Sequence, residues 1–160
     1  MLEFAFTFPI LFLLMYGVIA FSYIFVLKES ITYAAQEAAE SAVAVRPQDD
    51  RVAFDAQVIT RARSVAASSL SWLPQRQRER VVGDASGSKV AVSFCENGAA
   101  SGTLPAGVSC PAEGSAVVVR LVFDLETNGA NQLFPVVRMP LIGPVPPLPQ
   151  ALSAVAVARL

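Results

Sequence analysis

Apolar and polar positions divide this chain unequally. From Phe4 to Leu27 no residue is charged, in the run FAFTFPILFLLMYGVIAFSYIFVL. As one helix that run is about 36 Å long at 1.5 Å per residue, enough to cross the ~30 Å hydrocarbon core of a bilayer. The core helix of a soluble domain carries a polar stripe. Here only Thr7, Ser22, Tyr16 and Tyr23 interrupt an apolar surface that goes all the way round. Lys28 and Glu29 mark the exit, but the helical pattern continues through SITYAAQEAAESAVAV, Ser30 to Val45. Alanine is the best helix former, and its small side chain lets helices approach closely. Ile31, Ala35, Ala38, Ala42 and Val45 fall on one stripe, with Glu37, Glu40 and Ser41 largely elsewhere. The pattern predicts one stem helix over residues 1–45, ended by Arg46-Pro47. Residues 1–27 would lie in a membrane or filament core, and 28–45 would continue into a head formed by residues 46–160.

Asp49 or Asp50 is a suitable N-cap for a second helix. Val52, Phe54, Val58, Ile59, Ala62, Val65, Ala66, Leu70 and Leu73 carry it to Leu73, where Pro74 stops it. QRQRERVV, with Arg76, Arg78 and Arg80, reads as a solvated edge or connector. As a nucleic-acid site it lacks an aromatic platform and is interrupted by Glu79. Three strands follow by alternation: Lys89 to Cys95, Ser115 to Glu126, and Ala151 to Leu160. Pro140 to Pro149 reads as a loop of polyproline II character, with Phe134 to Val137 a short segment over the core. The predicted class is α+β: a long N-terminal helix, then a second helix packed on a small antiparallel sheet of three or four strands.

Composition sharpens this picture in three places. The hydrophobic share of 54% in 160 residues is concentrated in the first 27, so the remainder is an ordinary small domain. The net charge of −1 exerts no long-range pull on nucleic acid or anionic lipid. There is no histidine, hence neither the commonest general base nor the commonest metal ligand. No nucleophile elbow, phosphate-cradling glycine loop or metal quartet is present, and Asp124 and Glu126 alternate outward on a strand. The expectation is a non-enzyme without cofactor or metal. The two cysteines, Cys95 and Cys110, lie in one stretch rich in Gly, Ser and Pro. In an exported chain they read as a local disulfide, and otherwise as two unrelated reduced thiols.

The flanks of the apolar run say more. A cleaved secretory signal has a basic start and a shorter apolar stretch, whereas this start is acidic. No basic residue precedes the run, so the positive-inside rule has nothing to read on that side. The expectation is that a basic leader is removed. Glu3 sits at the edge of the run, where a carboxylate against lipid is costly unless it is partnered or interfacial. One partner fits physically: the α-amino group of a neighbouring subunit, in which case the pair would set axial register between packed helices. The other reading is a solvated carboxylate at the interface. Pro9 removes an amide donor and crowds the carbonyl of Ala5, so it bends the helix or marks its real start.

The segment from Leu2 to Leu14 resembles the opening of TadE-like pilins of tight-adherence (Tad) systems, within the wider type IV pilin class. It has the Glu-Phe-Ala step, the apolar run, and a proline six residues after the glutamate; Glu3 and Pro9 match that spacing, and Tyr16-Gly17 with Phe21 continues it. The likeness is specific over the stem and looser over the head, where the helix-then-strands layout and the ending Val157-Ala158-Arg159-Leu160 are similar. In the class the glutamate commonly lies at the fifth mature residue. Here it is the third, so the resemblance carries the spacing and not the position of the cut. The resemblance implies a prepilin peptidase and a pilus assembly machinery as partners. It also implies a single span in the bacterial inner membrane before assembly, and afterwards an extracellular filament of identical subunits held through the N-terminal helix. A low-copy minor pilin for initiation or the tip, and an anchored binding domain that never polymerises, remain alternatives.

Removal of a basic leader is checked by the intact mass of the native protein against the gene's own start codon. An intact initiator peptide, with Met1 as the gene's own start, would overturn it.

Overall fold

The computed structural model describes the backbone of residues 2–46, 48–84, 86–125, 137–139, 143–145 and 149–160, and their side chains apart from those of 2, 3, 5, 6, 137–139 and 143–145. The stem is one helix, α1 (Leu2–Val43), of 42 residues. At 1.5 Å per residue it is about 63 Å long, twice the thickness of a bilayer core. Pro9 lies inside it, so the proline does not mark the helix start. α1 ends at Val43, just before the predicted stop at Arg46-Pro47; Pro47 lies outside the described residues.

Burial along α1 changes abruptly at Ala20. Before it no described side chain is buried; from it, Ala20, Ile24, Leu27, Ile31, Ala34, Ala35, Ala38, Ala39 and Ala42 are. Those steps of three and four residues trace one helical face. It is wider than the predicted stripe, because Ala34 and Ala39 join it while Val45 is only half-buried. Against it packs α2 (Arg51–Ser69), antiparallel to α1, through Val58, Ala62 and Ala66. Alanine facing alanine brings the two helix backbones close. At the edge of the contact Ser69 donates to Glu37 Oε2 at 2.7 Å.

The start of α2 is capped as the sequence predicts, with the Asp50 carboxylate accepting from Val52 N at 3.0 Å. Its end comes earlier than predicted. Leu70 and Leu73 keep the apolar rhythm but sit in a turn, where Leu73 N donates to Leu70 O at 3.1 Å. Both are buried there, so hydrophobic spacing alone does not distinguish this turn from helix. The segment read as a solvated connector is instead a short helix, α3 (Gln75–Val81). Pro74 starts it: the amides of Gln77 and Arg78 donate to its carbonyl at 2.9 and 3.0 Å. Burial of Val81 and Val82 fixes its end in the core.

The strands are β1 (Ala91–Glu96), β2 (Ala99–Ser101), β3 (Ser115–Asp124), β4 (Val137–Met139), β5 (Gly143–Val145) and β6 (Ala151–Arg159). Four form an antiparallel sheet in the order β2-β1-β3-β6. The class is therefore α+β, a helix layer on one face of an antiparallel sheet. β1 and β2 join through Asn97 and Gly98, both at positive φ (46° and 84°). Two such residues in a two-residue loop match the right-handed twist of the flanking strands. β4 and β5 form a separate hairpin, pairing Arg138 with Pro144. This corrects the reading of residues 140–149 as loop throughout. A two-stranded hairpin is all edge, and a proline is tolerated where no ladder donor is required. Phe134, Pro135, Val136 and Glu126 lie outside the described residues.

Alternation along β3 feeds two cores. Val117, Val119, Leu121 and Phe123 face the helix layer, chiefly α1 and α3, while Ala116 and Val118 face the opposite side with Cys95. A disulfide joins Cys95 to Cys110 across a separation of 15 residues, with Cα atoms 5.3 Å apart. It holds the loop after β2 over the outer face of the sheet, where Leu104 and Val108 cover Ala116 and Val118.

Two outcomes follow. Gly87 has φ +73°, and an added Cβ would lie 2.8 Å from Arg63 Cβ and 3.0 Å from Arg63 O on α2. Gly98 and Gly107 share the positive φ but have open space around them. Gly87→Ala is expected to cost about 2–4 kcal/mol, left-handed strain plus overpacking, against ~1–2 kcal/mol for Gly107→Ala. Denaturant unfolding of the two variants checks this, and equal losses would contradict it. Replacing both cysteines by alanine is expected to lower stability by roughly 3 kcal/mol, the chain entropy of a 15-residue loop. The same unfolding measurement reads it, and non-reducing peptide mapping that finds free thiols in native protein would contradict the bridge itself.

Candidate functional site

The surface that most needs a partner is the lower stem. Phe4 is 72% exposed, and Phe8, Ile10, Leu11, Phe12, Leu14, Met15, Val18, Ile19, Phe21, Phe25 and Val26 are all half exposed or more. Only 17% of the most apolar window of α1 is buried within the molecule, which separates it from the core helix of a soluble domain. Fully exposing a side chain the size of Leu or Phe costs about 1.5–3 kcal/mol relative to burying it. Contiguous apolar surface of this extent marks a membrane or protein contact.

One edge of the surface is ordered. Phe4, Phe8 and Phe12 repeat every four residues, so their rings stack up one face, with centroids 5.7 and 6.4 Å apart and planes inclined by 29° and 25°. Pro9 is exposed beside this ladder. Its missing amide leaves the Ala5 carbonyl without its usual intrahelical donor. Glu3 falls in the first turn of α1, and its side chain lies outside the described residues. The sequence thus marked the stem. It did not mark the ladder, although Phe at 4, 8 and 12 is a visible four-residue repeat.

Above Ala20 the stem is a structural part of the head. Tyr23 Oη donates to Gln77 Oε1 at 2.9 Å, tying α3 to the stem at that height. Phe123 and Leu125 bring the end of β3 into the same core as Ile24 and Leu27. The lower stem and the head therefore cannot move independently, as they would across a flexible linker.

The far end of the head carries a cleft of about 480 Å³, bounded by Val43, Val45, Phe54, Leu160 and the Arg51–Glu96 ion pair. That pair ties the start of α2 to the end of β1. The shared hydrogen bond, and then the opposite charge, raise the Arg51 guanidinium above its usual pKa. The same bond holds the Glu96 carboxyl below the usual carboxylate range. Both side chains are about half exposed, so water screens the pair and its worth is small. Asp84 is likewise lowered, first by the hydrogen bond from the Ser86 hydroxyl and then by the Ser88 backbone amide. These bonds close the turn before Gly87. Among the described residues no group of three or more Cys, Asp or Glu side chains is placed to hold a metal ion.

The family profile described as TadE-like protein matches residues 1–40. The match spans a quarter of the 160 residues, covering the exposed lower stem and most of the stretch that packs on the head. No curated protein and no solved structure matches the chain.

Proposed function

We propose that this chain is a structural pilin-like subunit, anchored in a membrane through its stem and later assembled through the same stem into an extracellular filament. Residues 1–45 are the stem and 46–160 the extracytoplasmic head. The observation that carries this reading is a rigid helix whose lower half is apolar on every side while its upper half is the spine of the head. A plain membrane anchor needs only the first property. A subunit that must transmit packing in a filament core to the spacing of heads on its outside needs both. The match of residues 1–40 to the TadE-like family supports the same role. With it come a prepilin peptidase, an assembly machinery and the bacterial inner membrane as the setting before assembly.

The energetics set the direction of work. Moving the stem from lipid to a core of other stems gains little hydrophobic free energy, because lipid is already apolar. Withdrawal from the membrane then requires a motor. A finished fibre standing in water keeps the full hydrophobic term, so it resists dilution and yields to detergent. Phe4, Phe8 and Phe12 supply a stiff ridge for the neighbouring stem. Pro9 removes one intrahelical amide donor from the stem beside that ridge. Glu3, paired with a neighbour's α-amino group in that low-dielectric core, fixes axial register more than cohesion.

Negative-stain microscopy of the native protein tests the filament, and a preparation in which the anchored subunit never forms fibres would overturn it. Glu3→Ala is expected to impair the entry of new subunits, leaving a neighbour's amine unpaired, while membrane insertion and head folding stay intact. If the variant assembled in the same amount and with the same helical symmetry, Glu3 would have no register role.

A further inference from the structure

The base of the head is placed to touch the membrane. Counting from Phe4, the first apolar residue after Glu3, a ~30 Å hydrocarbon core takes up about 20 helical rises and ends near residue 24. The head already covers the stem below that level, because Ala20 and Ile24 are buried. Tyr23 stands at the boundary, and its hydroxyl is bonded to Gln77 of α3 at 2.9 Å. α3 is therefore fixed where the core meets the headgroups. It carries Arg76, Arg78 and Arg80 against the single acid Glu79, whose Oε1 is engaged by Gln75 Nε2 at 2.9 Å. Arg76 is exposed and Arg78 half-buried.

A second feature stands one level higher. Trp72, 55% exposed, shares a shallow cleft with Glu29, Ser30 and Tyr33. Along the helix Glu29 lies about 9 Å and Tyr33 about 15 Å above Tyr23, so the cleft opens at the outer edge of a headgroup layer ~5–8 Å deep. Tyr33, at 61% exposure, stands beside it. Indole and phenol rings with one apolar and one polar end settle in that layer, and arginine guanidinium forks match phosphate oxygens.

From these positions we infer that the α2–α3 corner is a lipid-headgroup docking surface. In the unassembled subunit Arg76 and Arg78 contact the phosphates of anionic lipid while Trp72 meets the outer edge of the headgroup layer, seating the head on the bilayer. The inference rests on the anchored-subunit reading. It adds a second, electrostatic attachment that must be released before the stem is withdrawn.

Trp72 is the only tryptophan in the chain, so its fluorescence reports this corner without labelling. The full chain is reconstituted in phosphatidylcholine vesicles with and without phosphatidylglycerol, and quenched either by headgroup-nitroxide lipid or by aqueous acrylamide. With phosphatidylglycerol, strong nitroxide quenching and protection from acrylamide are expected. Both should be lost in Arg76→Gln/Arg78→Gln and weakened for the unaltered chain by high salt. Each arginine is expected to shift the docked-to-undocked ratio about fivefold, the equivalent of ~1 kcal/mol per basic residue near an anionic surface. Trp72 that stays open to acrylamide in a chain resisting alkaline carbonate extraction would overturn the docking and leave the anchor standing. Protection that depends on protein density and not on lipid charge would also overturn it, naming a neighbouring subunit as the occupant. Release of the chain by carbonate would overturn the anchor, and the docking with it.

Discussion

The structure depends on one packing contact: the alanine-lined face of the upper stem against α2 and the sheet. Ala34, Ala35, Ala38, Ala39 and Ala42 meet Val58, Ala62 and Ala66 from α2, and the inner residues of β3 and β6 close the remaining side. Because these side chains are small, the contact is a close approach of backbones with little room to adjust. Core interiors pack near crystal density, so an added methylene there is felt. The stem is thereby locked to the head, and whatever sets the orientation of the stem also sets the orientation of the head.

A second constraint follows from the first. Since the head's cover reaches down to Ala20, the stem is not a free rod with a domain tethered above it. Tyr23, bonded to Gln77, stands about 29 Å along the helix from Phe4, close to the thickness of an ordinary bilayer core. One helix length thus combines two parts: an exposed apolar girdle and a spine for the domain. The disulfide works apart from both. It pins a turn-rich loop to the outer face of the sheet, away from the helix layer, and supplies a small second core that β3 could not otherwise cover.

The sequence by itself determined the stem, its chargeless span, the α+β class and the strong central strand, because each rests on a long periodic signal. The Asp50 cap was legible for a local reason, a carboxylate two residues from the amide it accepts from. The Asn97-Gly98 turn is equally local, carried by its own dipeptide. Other features were decided only by the tertiary structure. Leu70 and Leu73 look helical by spacing, yet they are buried in a turn, and burial does not report backbone conformation. α3 looked like a charged connector because only its end, Val81 and Val82, enters the core; seven residues are too few to show a period. β5 was hidden by its proline, which is harmless in a hairpin with free edges. The height at which the head begins to cover the stem is the most consequential of these. No residue between Ala20 and Leu27 announces it, since an apolar side chain facing lipid and one facing a protein core are the same in sequence. Only the placement of α3 and β3 beside the helix distinguishes them.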